Sequence, residues 1–305
     1  MFPTNPLIAP LALLALLALL PALTTSLILP NYTSIITSTA KPGILDVTIH
    51  TTNNTINLWN ADFVANMKDL VSRLKDNNDT KVVVFRSDVP KYFIAHADLN
   101  FDLENPTLVT DSIQLIEDVA NLRQTTIGLV SGVVRGGGNE FLVSLDMRFA
   151  TKTHTFLGQP EVGIGFIPGL GGIQWLARLI GRGRAMEYIL TGKDINANDA
   201  ERIGWINKAF DTDVEMEGYV ASLTSRLALF DLAAIGAGKH AVNVATKPAM
   251  EASLADGKVF VELFKDPAVA ARTRLGTLND NDGERFFGEV LPALYGAGPI
   301  PSRRR

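Results

Sequence analysis

Cysteine is absent from this chain of 305 residues, and its absence removes several classes of function. The protein has no thiol nucleophile, no thiolate metal ligand and no disulfide scaffold. An excess of basic residues is also missing, because 28 Lys and Arg stand against 32 Asp and Glu and the formal net charge is −4. We therefore expect no nucleic acid among the partners of the protein.

Several catalytic motifs are missing as well. The sequence contains no H-E-x-x-H, G-x-S-x-G, G-x-G-x-x-G or G-x-x-x-x-G-K-[ST] segment, which argues against metallopeptidase, serine-hydrolase and common nucleotide-binding sites. The four histidines are scattered without metal-ligand spacing: His50, His96, His154 and His240. We interpret them as structural and expect no metal site.

The sequence before Lys41, the first charged residue, differs in composition from the rest. Residues 7–29 are predominantly apolar, with only Leu and Ala between Pro10 and Pro21. This stretch fits both a signal peptide, whose apolar region has about 7 to 15 residues, and a membrane span of about 20. A non-native leader is a third interpretation. We assign residues 1–30 to an apolar leader, either a signal peptide or a membrane anchor that contacts the membrane through residues 7–29.

From residue 31 onward the pattern mixes strands and helices. Leu45, Val47 and Ile49 alternate with polar residues and indicate a strand, whereas Asn60 caps a predicted helix. The apolar positions of that helix recur every three or four residues and should face a core: Phe63, Val64, Met67, Leu70, Val71 and Leu74.

Continuous apolar runs predict buried strands at residues 82–85 and 127–134. The C-terminal third is predicted to be mostly helical, with Pro248 and Gly257 as interruptions. These patterns indicate a core over residues 31–210 and a helical C-terminal part over 211–281. They leave a tail over 282–305.

Two carboxyl groups lie beside glycine-rich turns. The segment from Gly136 to Glu140 follows a strand and opens a helix, whose first amides could face an anion or a polarised carbonyl. The alternative is that the glycines only allow close packing and Glu140 complements the helix dipole. Glu161 follows Pro160 after another predicted strand, and it could equally be an ordinary first-turn acid. Residues 91–98 form a third segment, with a strand-to-helix loop as its simplest interpretation.

These segments, in this order, resemble the enoyl-CoA hydratase/isomerase (crotonase) family. The resemblance runs from about residue 32 to about residue 264, and the motifs are specific only in combination. The best-matching segments are residues 81–86, 94–98, 135–141, 146–150, 157–163 and 168–172. The resemblance implies an α/β crotonase-like (ClpP/crotonase) fold of repeated β-β-α units with a helical C-terminal part. It also implies homotrimers or hexamers, an acyl-CoA thioester substrate and no cofactor.

The resemblance also implies roles for particular residues. The backbone N–H groups of Ala97 and Gly137 match the oxyanion hole that binds the thioester oxygen. Glu140 and Glu161 match the two catalytic glutamates of the hydratases, and we expect Glu161 to act at the substrate α-carbon while Glu140 orients and activates water. The other substrate-binding positions implied are Lys91, Ala95, Asp98, Gly136, Pro160 and Gly169.

Three questions stay open at this point. The reaction could be hydration or isomerisation, or the chain could be a catalytically silent binding or scaffold protein with the same fold. His96 stands where the family usually has glycine before the oxyanion residue, and its role is undefined. The leader suggests secretory entry or membrane anchoring, whereas the family is typical of mitochondria, peroxisomes or cytosol.

Overall fold

The computed structural model describes residues 27–51, 56–98 and 107–279. Residues 1–26 of the predicted leader and the predicted tail at 282–305 lie outside the described residues. The strands are β1 (Ile35–Lys41), β2 (Ile44–Ile49), β3 (Leu58–Trp59), β4 (Val82–Ser87), β5 (Tyr92–Ile94), β6 (His96–Ala97), β7 (Thr125–Val130), β8 (Val133–Arg135), β9 (Met147–Thr151), β10 (Phe156–Gly158), β11 (Ile195–Asn196) and β12 (Lys208–Phe210).

The helices alternate with these strands in the core and follow one another in the C-terminal part. They are α1 (Ala61–Asp76), α2 (Leu108–Ala120), α3 (Gly137–Ser144), α4 (Glu161–Ile164), α5 (Gly172–Ile180), α6 (Arg182–Thr191), α7 (Ala197–Ile203), α8 (Asp213–Leu227), α9 (Leu232–Thr246), α10 (Met250–Phe264) and α11 (Pro267–Asn279).

Helix α1 forms as its sequence predicts. The Asn60 side chain accepts a hydrogen bond of 2.9 Å from the Phe63 amide and so caps the first turn. All six apolar positions predicted to face inward are buried. They join the main core, which lies between the helices and the sheets.

Two sheets carry most of the strands. The larger has the order β1-β2-β4-β7-β9-β12, and its neighbours are parallel except for the antiparallel pair β1 and β2. The smaller has the order β11-β10-β8-β5, in which β10, β8 and β5 run parallel. Strands β3 and β6 form a separate parallel pair.

Three successive β-β-α units build this arrangement. Each unit places one strand in the larger sheet and the next in the smaller sheet, and then enters a helix; the strand pairs are β4 and β5, β7 and β8, and β9 and β10. The carboxyl ends of β5, β8 and β10 therefore lie side by side. The segments that follow these three strands meet at one edge of the smaller sheet.

Two predictions about the elements were wrong. The apolar run at residues 127–134 is not one strand, because it bends at Ser131 and Gly132 and passes from the larger sheet to the smaller. A methyl group at Gly132 would overlap the Lys91 carbonyl, whose oxygen accepts a 2.8 Å bond from the Val133 amide. Gly257 does not interrupt a helix; it lies buried inside α10.

The segment at residues 91–98 also differs from a simple loop. It contains β5 and β6, and β6 pairs with β3 through Leu58 and Trp59. Residues 95–98 are thereby held by main-chain hydrogen bonds, with the Ala95 amide donating to the Asn57 oxygen (2.8 Å) and the Asp98 amide to the Trp59 oxygen (2.9 Å).

Most of helix α9 is exposed despite its apolar composition. Leu232 is its one buried residue, and Val242 and Val244 are 61% and 75% exposed. Within the described residues no single helix has the length and hydropathy to cross a membrane. Helices α8 and α9 meet that test only when taken together, and they are bent by 112° relative to each other.

Candidate active site

Residues 97 and 137, predicted to form an oxyanion hole, lie next to each other. A methyl group built at Gly137 would lie 3.4 Å from the Ala97 Cβ atom and 3.5 Å from both the Trp59 Cβ and the Leu170 Cδ1 atoms. These are ordinary van der Waals distances, so the protein itself leaves room for a small side chain at this position.

The Gly137 amide precedes the intrahelical hydrogen bonds of α3. Gly137 is the first residue of that helix, and the first bond of the i to i−4 type runs from the Glu140 amide to the Gly136 oxygen at 2.9 Å. The opening amides of a helix have no intrahelical acceptor, and they lie at the positive end of its dipole. The geometry expected for a donor to a carbonyl oxygen is therefore present at Gly137.

The Ala97 amide is oriented by the β3–β6 pair. Neighbouring amides of an extended strand point to opposite edges, and the Asp98 amide is bonded to Trp59 of β3. The main chain around Ala97 is therefore fixed in place by β3. The His96 ring adds a second constraint, because its Nδ1 atom lies 2.6 Å from the Ala97 carbonyl oxygen and must donate to it.

Glu140 is a buried carboxyl group held by two peptide amides. Its side chain is 2% exposed, and Oε1 accepts hydrogen bonds from the Leu170 amide (2.7 Å) and the Gly172 amide (2.8 Å). Burial raises the pKa of Glu140 to about 7, while these amides act in the opposite direction and the negative charge of Asp256 raises it further.

Glu161 is buried with fewer partners. It is 6% exposed as the first residue of α4, and its Oε2 atom has no hydrogen-bond partner among the described residues. Burial, and then the negative charge of Glu140, raise the pKa of Glu161 well above its ordinary value. The pair therefore holds at least one proton near neutral pH.

Gly136 lies directly beside the Glu161 carboxyl. It adopts a φ of 52° that favours glycine, and a methyl group there would lie 3.0 Å from Glu161 Oε1. Its amide donates to the Gly158 oxygen at 3.1 Å, which joins the end of β8 to the end of β10. Two side-chain amides lie next to this junction. The Trp205 indole donates a hydrogen bond to the Asn139 side chain, and Asn139 contacts the Gln159 side chain at 2.6 Å.

The other predicted substrate-binding residues lie around this edge with different exposure. Ala95 and Pro160 are buried, Asp98 is half-buried and Lys91 is exposed. The Lys91 ammonium group lies 5.4 Å from the centre of the Tyr92 ring. Gly169 belongs to the turn that carries the Leu170 and Gly172 amides.

Three contributors were missed by sequence reasoning. The Leu170 and Gly172 amides hold Glu140, and the glycine-rich turn before α5 was the signal that could have revealed them. Trp59 lines the Gly137 side of the site, and its indole is fixed by a 3.0 Å bond to Ser112. Asp256 approaches from α10, and no local pattern in the sequence marks it.

Metal-ligand geometry is also absent from the described parts of the chain. Within them, no group of three or more His, Asp or Glu side chains is arranged to hold an ion. The described groups at this edge include carboxyls, peptide amides, the His96 imidazole and the Lys91 ammonium group.

Fold and site together define an α/β protein with two buried carboxyl groups in the helices that follow the adjacent parallel strands β8 and β10. The family described as enoyl-CoA hydratase/isomerase matches residues 39–273, and the chain belongs to that family. The resemblance noted from the motifs is therefore confirmed.

Individual relatives agree with this assignment. The short-chain-enoyl-CoA hydratase of Clostridium acetobutylicum is 29% identical over 230 residues, which are 73% of this chain and 87% of that protein. A Streptomyces avermitilis structure whose name assigns it to the enoyl-CoA hydratases is 31% identical, with a TM-score of 0.80 over 90% of this chain and 100% of that one.

A more distant structure supports the fold alone. An enoyl-CoA hydratase from Mycobacterium avium subsp. paratuberculosis has a TM-score of 0.71 at 18% identity, covering 89% of this chain and all of that one. The expected crotonase-like fold of β-β-α units with a helical C-terminal part is confirmed.

Proposed function

We propose that the protein is an enoyl-CoA hydratase that adds water across the 2,3 double bond of an enoyl-CoA thioester. The observation that carries the proposal is the pair of buried carboxyl groups, Glu140 and Glu161, whose pKa values are both raised. They lie beside the amide of Gly137, which opens a helix and so has no intrahelical acceptor. Hydration requires an acid, a base and a donor for the developing oxyanion, and these groups supply all three.

The proposed mechanism assigns one proton transfer to each carboxyl group. Glu140, in its ionised form, takes a proton from the water whose oxygen bonds to C3. The π electrons move toward the thioester, and its oxygen is stabilised as an oxyanion by the amides of Ala97 and Gly137. Glu161, in its protonated form, then delivers a proton to C2, so that one water molecule has been added.

The surroundings of the two carboxyl groups support this division of roles. Two amides bonded to Glu140 favour its anion, which suits the group that activates water. Glu161 has a buried oxygen without a hydrogen-bond partner among the described residues and a pKa raised well above its ordinary value, which suits the group that carries the proton. After turnover Glu140 holds the proton taken from water and Glu161 is ionised, so one proton must pass from Glu140 to Glu161 before the next cycle.

Substrate binding and assembly are part of the proposal. Lys91 would meet the phosphates of CoA, while Ala95, Asp98, Gly136, Pro160 and Gly169 would shape the channel for the thioester. We also propose that the active form is a homotrimer or hexamer. The exposed valines of α9 support this, because a helix of such apolar composition gains stability when a second chain covers it.

Hydration of crotonyl-CoA tests the proposal directly through the loss of enoyl absorbance. We expect turnover by the wild type and a loss of about 10³-fold in Glu161→Gln. Glu251→Gln, which removes an exposed carboxylate from α10, is the matched control and should retain full activity. Wild-type protein that binds CoA thioesters but neither hydrates nor isomerises them would instead indicate a silent binding protein, and double-bond migration without hydration would indicate an isomerase.

A further inference from the structure

Helix α10 lies directly on the turn at residues 169–172. A methyl group at Gly171 would lie 2.9 Å from the Ser253 hydroxyl oxygen, and one at Gly169 would lie 2.6 Å from the Phe260 Cβ atom. Ser253 and Phe260 are seven positions apart and share one face of the helix. The turn therefore cannot move away from the core without displacing α10.

Asp256 lies between these contacts on the same helix face. It is three residues after Ser253 and four before Phe260, and its Oδ2 atom accepts a 2.9 Å hydrogen bond from the Gln174 side chain. Gln174 belongs to α5, whose first residue is Gly172. This hydrogen bond thus connects α10 to α5, the helix whose opening amide at Gly172 binds Glu140.

The charge of Asp256 also acts on Glu140. Asp256 is half-buried, and its negative charge adds to the effect of burial in raising the pKa of Glu140. Among the described residues, Asp256 from α10 is the charged side chain that acts on Glu140, and Glu140 in turn acts on Glu161 from α4. Burial raises the pKa of Asp256 as well, and the bond from Gln174 lowers it.

We propose that Asp256 is a positioning residue for Glu140. Its hydrogen bond to Gln174 holds α10 and α5 together across the turn that binds the Glu140 carboxyl, and its charge opposes ionisation of that carboxyl. Asp256 acts through Glu140 and does not touch the substrate. The consequence for catalysis rests on the hydratase proposal, whereas the electrostatic effect of Asp256 on Glu140 does not.

Two substitutions separate the two contributions. Asp256→Asn removes the charge but keeps an oxygen that can accept from Gln174, whereas Gln174→Ala removes the bond and keeps the charge. Glu262→Gln is the matched control, because it removes a carboxylate from the same helix at a side chain that is 81% exposed. If Asp256→Asn does not fold, Asp256→Ser serves as the second charge-removing variant.

The first measurement needs no substrate. Carbon-13 NMR of glutamate carboxyl groups in the full chain follows the titration of Glu140, whose signal is identified by its loss in Glu140→Gln. We expect the Glu140 midpoint to move down by about half a pH unit in Asp256→Asn and to stay unchanged in Glu262→Gln. An unchanged midpoint in Asp256→Asn overturns the proposal.

The second measurement uses the pH dependence of crotonyl-CoA hydration. The acidic limb of kcat/KM should move to lower pH in Asp256→Asn by the same amount as the NMR midpoint. Gln174→Ala should lower kcat about fivefold without moving that limb, because the amides of the turn lose their support while the charge stays. Loss of stability alone would not move the limb.

The two measurements also distinguish failure of this proposal from failure of the assigned reaction. If the wild type has no hydratase activity but its Glu140 midpoint responds to Asp256→Asn, the proposed reaction is wrong and the proposed role of Asp256 stands. If the enzyme is active but neither the Glu140 midpoint nor the acidic limb changes in Asp256→Asn, the proposed role of Asp256 is wrong and the proposed reaction stands.

Discussion

Glu140 and Glu161 occupy matching places in two successive β-β-α units, yet their carboxyl groups have different surroundings. Each lies in the first turn of the helix that follows a strand of the smaller sheet, and each is buried. Glu140 accepts hydrogen bonds from two peptide amides, whereas Glu161 keeps a buried oxygen without a partner among the described residues.

The difference shows how one fold places two buried acids in different electrostatic surroundings. Burial raises the pKa of both groups, but the Glu140 anion is favoured by amides of a separate turn, whereas the donor that favours the Glu161 anion is its own backbone amide. The donors come from the turn before α5, which lies outside both β-β-α units. Unequal proton affinity within a pair of carboxyl groups is the usual basis for separate acid and base roles.

The largest expected effect comes from removing both carboxyl groups. Glu140→Gln and Glu161→Gln should each lower kcat/KM for crotonyl-CoA by about 10³-fold, because each eliminates one proton transfer. The kcat/KM of the double variant should be only slightly below that of the less active single variant, since the two groups act on one substrate as a unit. Strictly additive losses would show that the carboxyl groups work independently, which would contradict their assignment as an acid and a base that act together.

A pair of neighbouring glycines tests whether these acids act on a carbonyl held by main-chain amides. Gly137→Ala fits the protein and should fold normally, but its methyl group would crowd a ligand at the amide and lower kcat/KM about 10²-fold. Gly138→Ala is the control for folding, because its methyl group would lie 2.5 Å from the Ile94 carbonyl oxygen and should lower the Tm by several degrees. A fully active Gly137→Ala would remove that amide from the mechanism.

The stability of the two glutamine variants should depend on pH. A carboxyl whose pKa is raised on folding stabilises the protein fully below the unfolded value, near 4.5, and this contribution is lost as pH rises toward the folded value. For Glu140 that window ends at about pH 7, so Glu140→Gln should match the wild type at pH 4 and exceed it at pH 8. We expect a Tm higher by about 3 °C at pH 8, and a gain of the same sign in Glu161→Gln.

Thermal unfolding at a fixed protein concentration, measured at pH 4, 6 and 8, checks this expectation. Equal gains at pH 4 and pH 8 would mean that the substitutions act through packing and that the two acids do not titrate in the expected range.

The smallest expected effect concerns Lys91, which is exposed, whereas both acids are buried. Lys91→Ala should raise the KM for crotonyl-CoA about threefold and leave kcat unchanged, because one solvated charge contributes little to binding. The crotonyl thioester of pantetheine, which lacks the nucleotide phosphates, should show no change. An equal effect on both thioesters would contradict a phosphate contact.

Much of the fold could be predicted because it depends on local periodicity. The cap at Asn60 and the six inward positions of α1 follow from residue spacing within one helix, and the structure has all of them. The bend at Gly132 could not be predicted in this way. It depends on the Lys91 carbonyl, which approaches from a neighbouring strand distant in sequence.

The candidate site likewise has parts that the sequence predicts and parts that it does not. The motifs and their order marked Glu140, Glu161 and the segments of Ala97 and Gly137 as parts of one site, because a family resemblance ties those positions together. The bonds from Leu170 and Gly172 and the charge of Asp256 come from segments about 30 and more than 100 residues beyond Glu140. Spacing along the chain carries no information about such approaches.

By itself, the sequence determined which residues are candidates for the chemistry and many of the elements that present them, because side-chain type and local periodicity are properties of the chain alone. Only the tertiary structure decided how strongly each acid holds its proton. Proton affinity depends on burial, on donors and on neighbouring charges, and these are set by segments that meet only when the chain is folded.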